Sequence, residues 1–107
     1  MEKVTQPKLA ITEDQAKEVA QLLALYLPET LVWAFGSRAK GTANTRSDLD
    51  LVAFADKPQD LAVYQLQQAF EESSLPFRVD LLVWDNLTPV MQNTIREHYV
   101  VVQGKRD

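Results

Sequence analysis

Two aspartates one residue apart, Asp48 and Asp50, open an apolar run that continues to Phe54. A β-strand puts residues i and i+2 on one face, so both carboxylates point one way while Leu49 and Leu51 point the other. Like charges side by side on a sheet repel and resist losing water. A fold tolerates the pairing most easily when a cation sits between them. Upstream, a first apolar run, Leu31 to Phe35, is broken by Gly36-Ser37. The polar stretch from there to Ser47 carries Arg38, Lys40 and Arg46, three of the eleven lysines and arginines in the chain.

The elements around this stretch follow from periodicity and capping. Thr12 and Gln15 form a capping-box pattern, and Glu13 and Asp14 suit the positive end of a helix. Ala16, Val19, Ala20, Leu23 and Leu27 then repeat at helical spacing until Pro28. Leu31 to Phe35, apolar on both faces, predicts a central strand. Gly36 permits a tight turn, and Ser37 can cap a short helical turn over 38–41. Ser47 to Ala55 predicts a second strand, Leu61 to Glu72 a helix capped by Asp60, and Phe77 to Trp84 a third strand. Thr88-Pro89 starts a last helix that runs to about His98. The β-branched tail, Tyr99 to Val102, fits a short strand, a docked helix end or a partner surface. The order α-β-α-β-α-β-α predicts an α/β (α+β) fold, a small mixed sheet with helices, with residues 1–107 as one domain. The direction of the third strand is left open.

Composition narrows the function. With 46% apolar residues in 107, the chain can build one core, and the absence of cysteine excludes disulfides and zinc–thiolate sites. No apolar run is long enough to span a membrane, and residues 1–7 lack the apolar core of a signal peptide, so a cytoplasmic location is expected. The net charge of −4 opposes direct nucleic-acid binding, although a local positive pocket remains compatible with it.

Three aspartates in or at strands, Asp48, Asp50 and Asp80, beside a Gly-Ser turn are the parts that phosphoryl and nucleotidyl transfer need. Carboxylates are hard oxygen ligands suited to magnesium, and paired divalent ions hold the attacking and leaving oxygens of an in-line displacement. A Gly-Ser turn opening a helix offers N–H groups and a hydroxyl to a phosphate. Each piece has a plainer reading. The turn is a common one, Asp-x-Asp often marks a strand end at solvent, and Asp80 can simply pair with Arg78 or Arg38.

Taken together, GSRAKG followed by SDLDL resembles the signature of the polymerase-β-type nucleotidyltransferase superfamily, in its minimal nucleotidyltransferase branch, over essentially the whole chain. Lys40 stands where arginine is more frequent. The resemblance implies that Asp48 and Asp50 bind two Mg2+ ions. It implies that Asp80 binds the catalytic ion and helps activate the acceptor hydroxyl, and that Gly36 and Ser37 hold the terminal phosphates of ATP. Arg38 and Lys40 would add charge to the triphosphate or contact the acceptor, unless they are solvated helix charges. The branch often partners a small helical HEPN toxin. The implied function is transfer of AMP from ATP to a hydroxyl of that partner, a tyrosine, as an antitoxin in a hetero-oligomer. Two alternatives stay open: neutralisation by occlusion without catalysis, and a small-molecule, antibiotic-type transferase with a separate substrate-binding subunit. Ser47 is read as fixing its loop, His98 as a polar or partner contact, Trp33 as packing, and Trp84 as packing or base stacking.

Overall fold

The computed structural model describes residues 9–104. Four strands form one sheet in the order β3-β2-β1-β4, with β1 Val32–Phe35, β2 Leu49–Ala53, β3 Val79–Val83 and β4 Val100–Gln103. The helices are α1 Glu13–Tyr26, α2 Ser37–Lys40, α3 Asp60–Glu71 and α4 Pro89–Glu97. Residues 1–7, read as lacking a signal sequence, lie outside the described residues.

The N-terminus of α1 is fixed by a reciprocal cap. Gln15 N–H donates to Thr12 Oγ1 at 3.1 Å, and Thr12 N–H donates to Gln15 Oε1 at 2.9 Å. Its stripe, Val19, Leu23 and the following Leu27, is fully buried. At α4, Thr88 caps through Met91 N–H, with Pro89 in the first helical position. The third helix departs from expectation at its start. Asp60 is its first residue rather than its cap, and Asp56 with Gln59 instead forms a capping box around a 3-10 turn at Lys57–Gln59.

Strand β1 is central. It pairs antiparallel with β2 on one side and β4 on the other. β3 lies parallel to β2, because α3 carries the chain back across the sheet, as a parallel pair requires. The tail resolves as β4: three consecutive valines extend beside β1, and Gln103 donates to the carbonyls of Leu27 and Thr30 at 2.8 and 2.7 Å.

Alternation then sorts the two faces. Val32, Ala34, Leu49, Leu51, Ala53 and Leu81 pack against α1 and α3 in the main core. The other face carries a second cluster of Val52, Trp84 and Ile95 with Trp33, Phe35, Phe54, Leu82 and Met91. Trp84 is therefore packing: its ring stacks on Phe54 at 4.7 Å, and Arg96 lies over it at 5.0 Å. Trp33 stacks on Tyr99 at 3.8 Å. No helix among the described residues is long and apolar enough to cross a membrane.

Candidate active site

The aspartates lie on this second face, at the end where β2 and β3 both begin. Asp50 and Asp80 are direct partners in the parallel register, so their side chains leave the same face of neighbouring strands, about 4.8 Å apart along the hydrogen-bonding direction. Asp48 stands two residues before Asp50, where Leu49 N–H donates to Arg78 carbonyl at 2.9 Å and draws the two strands together. The structure thus brings all three carboxyl groups to one end of one face.

Their proximity has an electrostatic signature. Burial pushes the Asp50 carboxyl above its ordinary 3.8, and the like charges of Asp80 and Asp48 push it further the same way. A carboxyl raised in the folded state holds its proton more tightly there than in the unfolded chain. Its contribution to stability is therefore greatest below 3.8 and is lost as pH rises through the raised value. Metal-free Asp50→Asn is expected to melt a few degrees above the parent at neutral pH, with the gain vanishing toward pH 3. Differential scanning calorimetry across that range checks it; an unchanged or lower melting point at pH 7 contradicts the strain.

The Gly-Ser turn closes over Asp50. Gly36 adopts φ 77° and ψ −161°, a region open essentially to glycine alone, and a Cβ there would collide with Asp50 Oδ2. Gly36 is also the residue before α2, whose first residue is Ser37; Ser37 is not the cap, and no side chain caps this turn. Gly41 ends α2 in the left-handed region, its N–H donating to Ser37 carbonyl at 3.0 Å. Lys40 is exposed on α2.

Arg38 departs from the expected place at a phosphate. It is 6% exposed, and its guanidinium donates to backbone carbonyls: Nε to Ser47 at 2.9 Å and Nη1 to Ala10 at 2.7 Å. The same group lies over the Phe77 ring at 4.2 Å. Nothing in the sequence distinguishes this arginine from the exposed Lys40 two residues on, because a four-residue helix has no periodicity to read. Ser47 fixes the loop as expected, its hydroxyl accepting from Asn44 N–H at 3.0 Å. The His98 ring nitrogen meets Ala39 carbonyl at 3.1 Å and ties the end of α4 to α2.

The donor set fits hard divalent cations. It consists of carboxylate oxygens only, and the charged form of its partly buried member, Asp50, is disfavoured first by burial and then by the charges of Asp80 and Asp48. Among the described residues, no three acidic or histidine side chains converge closely enough to enclose an ion unaided. Asp80 leans toward Arg78 at 3.8 Å, a pair with side chains 46% and 73% exposed that solvent screens strongly. An incomplete protein shell is what magnesium accepts, since waters and substrate phosphates fill its remaining positions.

The model of the nucleotidyltransferase domain family matches residues 13–102. The chain belongs to that family. This nucleotidyltransferase chain is 44% identical over 99 residues to a Haemophilus influenzae protein named probable protein adenylyltransferase MntA, a match covering 92% of the chain and 87% of that protein. Its fold is similar to that of a chain in a crystal structure of a toxin–antitoxin with AMP-PNP. The TM-score is 0.67 at 23% identity, over 85% of this chain and 74% of that one. It is also similar in fold to a chain in a Shewanella oneidensis complex of a tri-AMPylated HEPN toxin with an MNT antitoxin. There the TM-score is 0.61 at 19% identity, over 89% and 74% of the two chains.

Proposed function

We propose that the chain is a magnesium-dependent nucleotidyltransferase that moves AMP from ATP to a protein hydroxyl, a tyrosine of a HEPN toxin partner, and so acts as an antitoxin. The observation that carries this reading is the facing pair Asp50 and Asp80, with Asp48 beside them and the Gly36 backbone set against Asp50. The protein adenylyltransferase name of the 44% identical relative supports the protein acceptor. The toxin–antitoxin assemblies that share the fold support the kind of partner.

Asp48, Asp50 and Asp80 would hold the metal. Bound divalent ions neutralise phosphate charge and lower the pKa of a coordinated hydroxyl. Gly36 and Ser37 receive the terminal phosphates through backbone N–H groups and the Ser37 hydroxyl, and Lys40 adds charge at the rim. Asp80, half exposed, accepts the proton of the acceptor hydroxyl. The acceptor oxygen bonds to the α-phosphorus as the bond from that phosphorus to the bridging oxygen breaks, and pyrophosphate leaves. AMP adds bulk and negative charge to the toxin, which opposes RNA binding there.

Incubating the chain and its HEPN partner with Mg-ATP and weighing the partner intact tests this. The expected result is a gain of one or more AMP units on tyrosine, with RNase activity lost and EDTA blocking both. A neutralised partner of unchanged mass supports occlusion instead, and nucleotide transfer to an aminoglycoside supports the small-molecule reading.

A further inference from the structure

A buried guanidinium needs a reason, because a charge removed from water is costly unless it is well compensated. Arg38 is almost wholly enclosed, and the partners of its charge are carbonyl dipoles and a ring face. Those partners come from three separate stretches of chain. Ala10 lies ahead of α1, Ser47 immediately precedes Asp48, and Phe77 lies three residues before Asp80. Two weaker contacts at 3.5 Å, from Nη2 to the carbonyls of Asn44 and Thr45, extend the grip along the loop. The link to Ala10 is reciprocal: Ala10 N–H donates to Arg38 carbonyl at 2.9 Å while the Arg38 side chain donates to Ala10 carbonyl.

We infer that Arg38 is a positioning residue that braces the starts of β2 and β3 against the segment over 9–11, and so sets the spacing of Asp48 from Asp80. The inference rests on the nucleotidyltransferase reading for its catalytic consequence, but not for the brace. Among the described residues, Thr42 N–H to Ser37 carbonyl at 3.1 Å ties the first residue of loop 42–47 to α2, whereas Ser47 N–H to Asn44 carbonyl, Asn44 N–H to Ser47 Oγ and Arg46 N–H to Asn44 Oδ1 are internal to the loop. Internal bonds hold the loop's shape but not its place on the sheet. The side chain of Arg38 supplies that place through the Ser47 carbonyl, while Leu49 N–H to Arg78 carbonyl joins the two strands just beyond it. A planar fork with five donors meets several carbonyls at once, which a lysine ammonium on a flexible stem cannot reproduce with the same geometry.

This assignment makes Arg38→Lys and Arg38→Met similar in effect, although only the first keeps the charge. Hydrogen exchange by mass spectrometry on the full chain, without metal or nucleotide, reads the brace directly. In both variants, amides over 44–49 are expected to exchange at least about tenfold faster than in the parent, while amides over 66–70 in α3 keep their protection and report an intact fold. Phe77→Leu, which removes the ring under the guanidinium and leaves every carbonyl partner, is expected to give a smaller change in the same segment. With the HEPN partner and Mg-ATP, Arg38→Lys is expected to lose about 10²-fold in kcat, the cost of misplacing groups by about 1 Å, with KM for ATP within about twofold. Unchanged exchange over 44–49 in Arg38→Lys overturns the brace. A KM for ATP raised tenfold with kcat retained overturns it in favour of a phosphate contact. If the parent itself transfers nothing, the functional reading fails, and the exchange result still decides the brace.

Discussion

Asp48→Ala/Asp50→Ala is expected to abolish the proposed nucleotide transfer, by about 10³-fold or more, and to leave the complex with the proposed HEPN partner intact. Each lost carboxylate removes charge that would hold a divalent ion against the phosphates, an effect of several kcal/mol on the transition state, and each 1.36 kcal/mol is a factor of ten in rate. The fold is expected to survive the loss of these side chains. Asp48 is exposed, and Asp50 sits at the edge of the second cluster rather than in the main core. Transfer is measured by intact mass of the partner, and association by co-purification. Transfer within tenfold of the parent would place the chemistry elsewhere on the chain. Loss of association would show that the aspartates serve the interface instead.

Gly36→Ala is the second large effect, and it separates shape from charge. The substitution alters no ionisable group. It puts a methyl where Asp50 Oδ2 lies, on a backbone at φ 77° and ψ −161° that a side chain strains by about 1–3 kcal/mol. Either the turn lifts from the sheet or the Asp50 carboxyl swings away, and both separate the turn proposed to hold the phosphates from the carboxylates. A loss of about 10²-fold in transfer rate is expected, with a lower melting point. Gly41 supplies the control. It also has a positive φ, 82°, but a Cβ there meets nothing within 4 Å. Gly41→Asn, a residue that accepts the left-handed region, is expected to keep transfer within a few-fold of the parent. Equal losses in the two variants would mean that the contact with Asp50 does not set the effect.

Much of this arrangement was legible in the chain because the features are local. Thr12 and Gln15, Thr88 and Pro89, and the i, i+2 spacing of Asp48 and Asp50 each specify geometry within a few residues. What escaped depends on distant partners. The parallel setting of β3 is a property of the α3 crossover, and the valines of residues 100–102 become a strand only because β1 offers them an edge. Arg38 shows the same limit at the level of a single side chain. The family resemblance implies a triphosphate or acceptor contact or else a solvated charge, whereas Ala10, 28 residues away, and Phe77 bury the guanidinium. Ser37 was displaced by one position for a similar reason: Gly36 already occupies the cap, because only glycine can pass so close to Asp50.

In the proposed function, three carboxylates on one face gather divalent cations beside a bound nucleotide. Titrating Mn2+ into the chain with AMP-PNP present, followed by electron paramagnetic resonance, tests it most directly. About two bound ions per chain are expected, both lost in Asp48→Ala/Asp50→Ala and one lost in Asp80→Ala. The same Mn2+ binding in the parent and in all of these variants would contradict it.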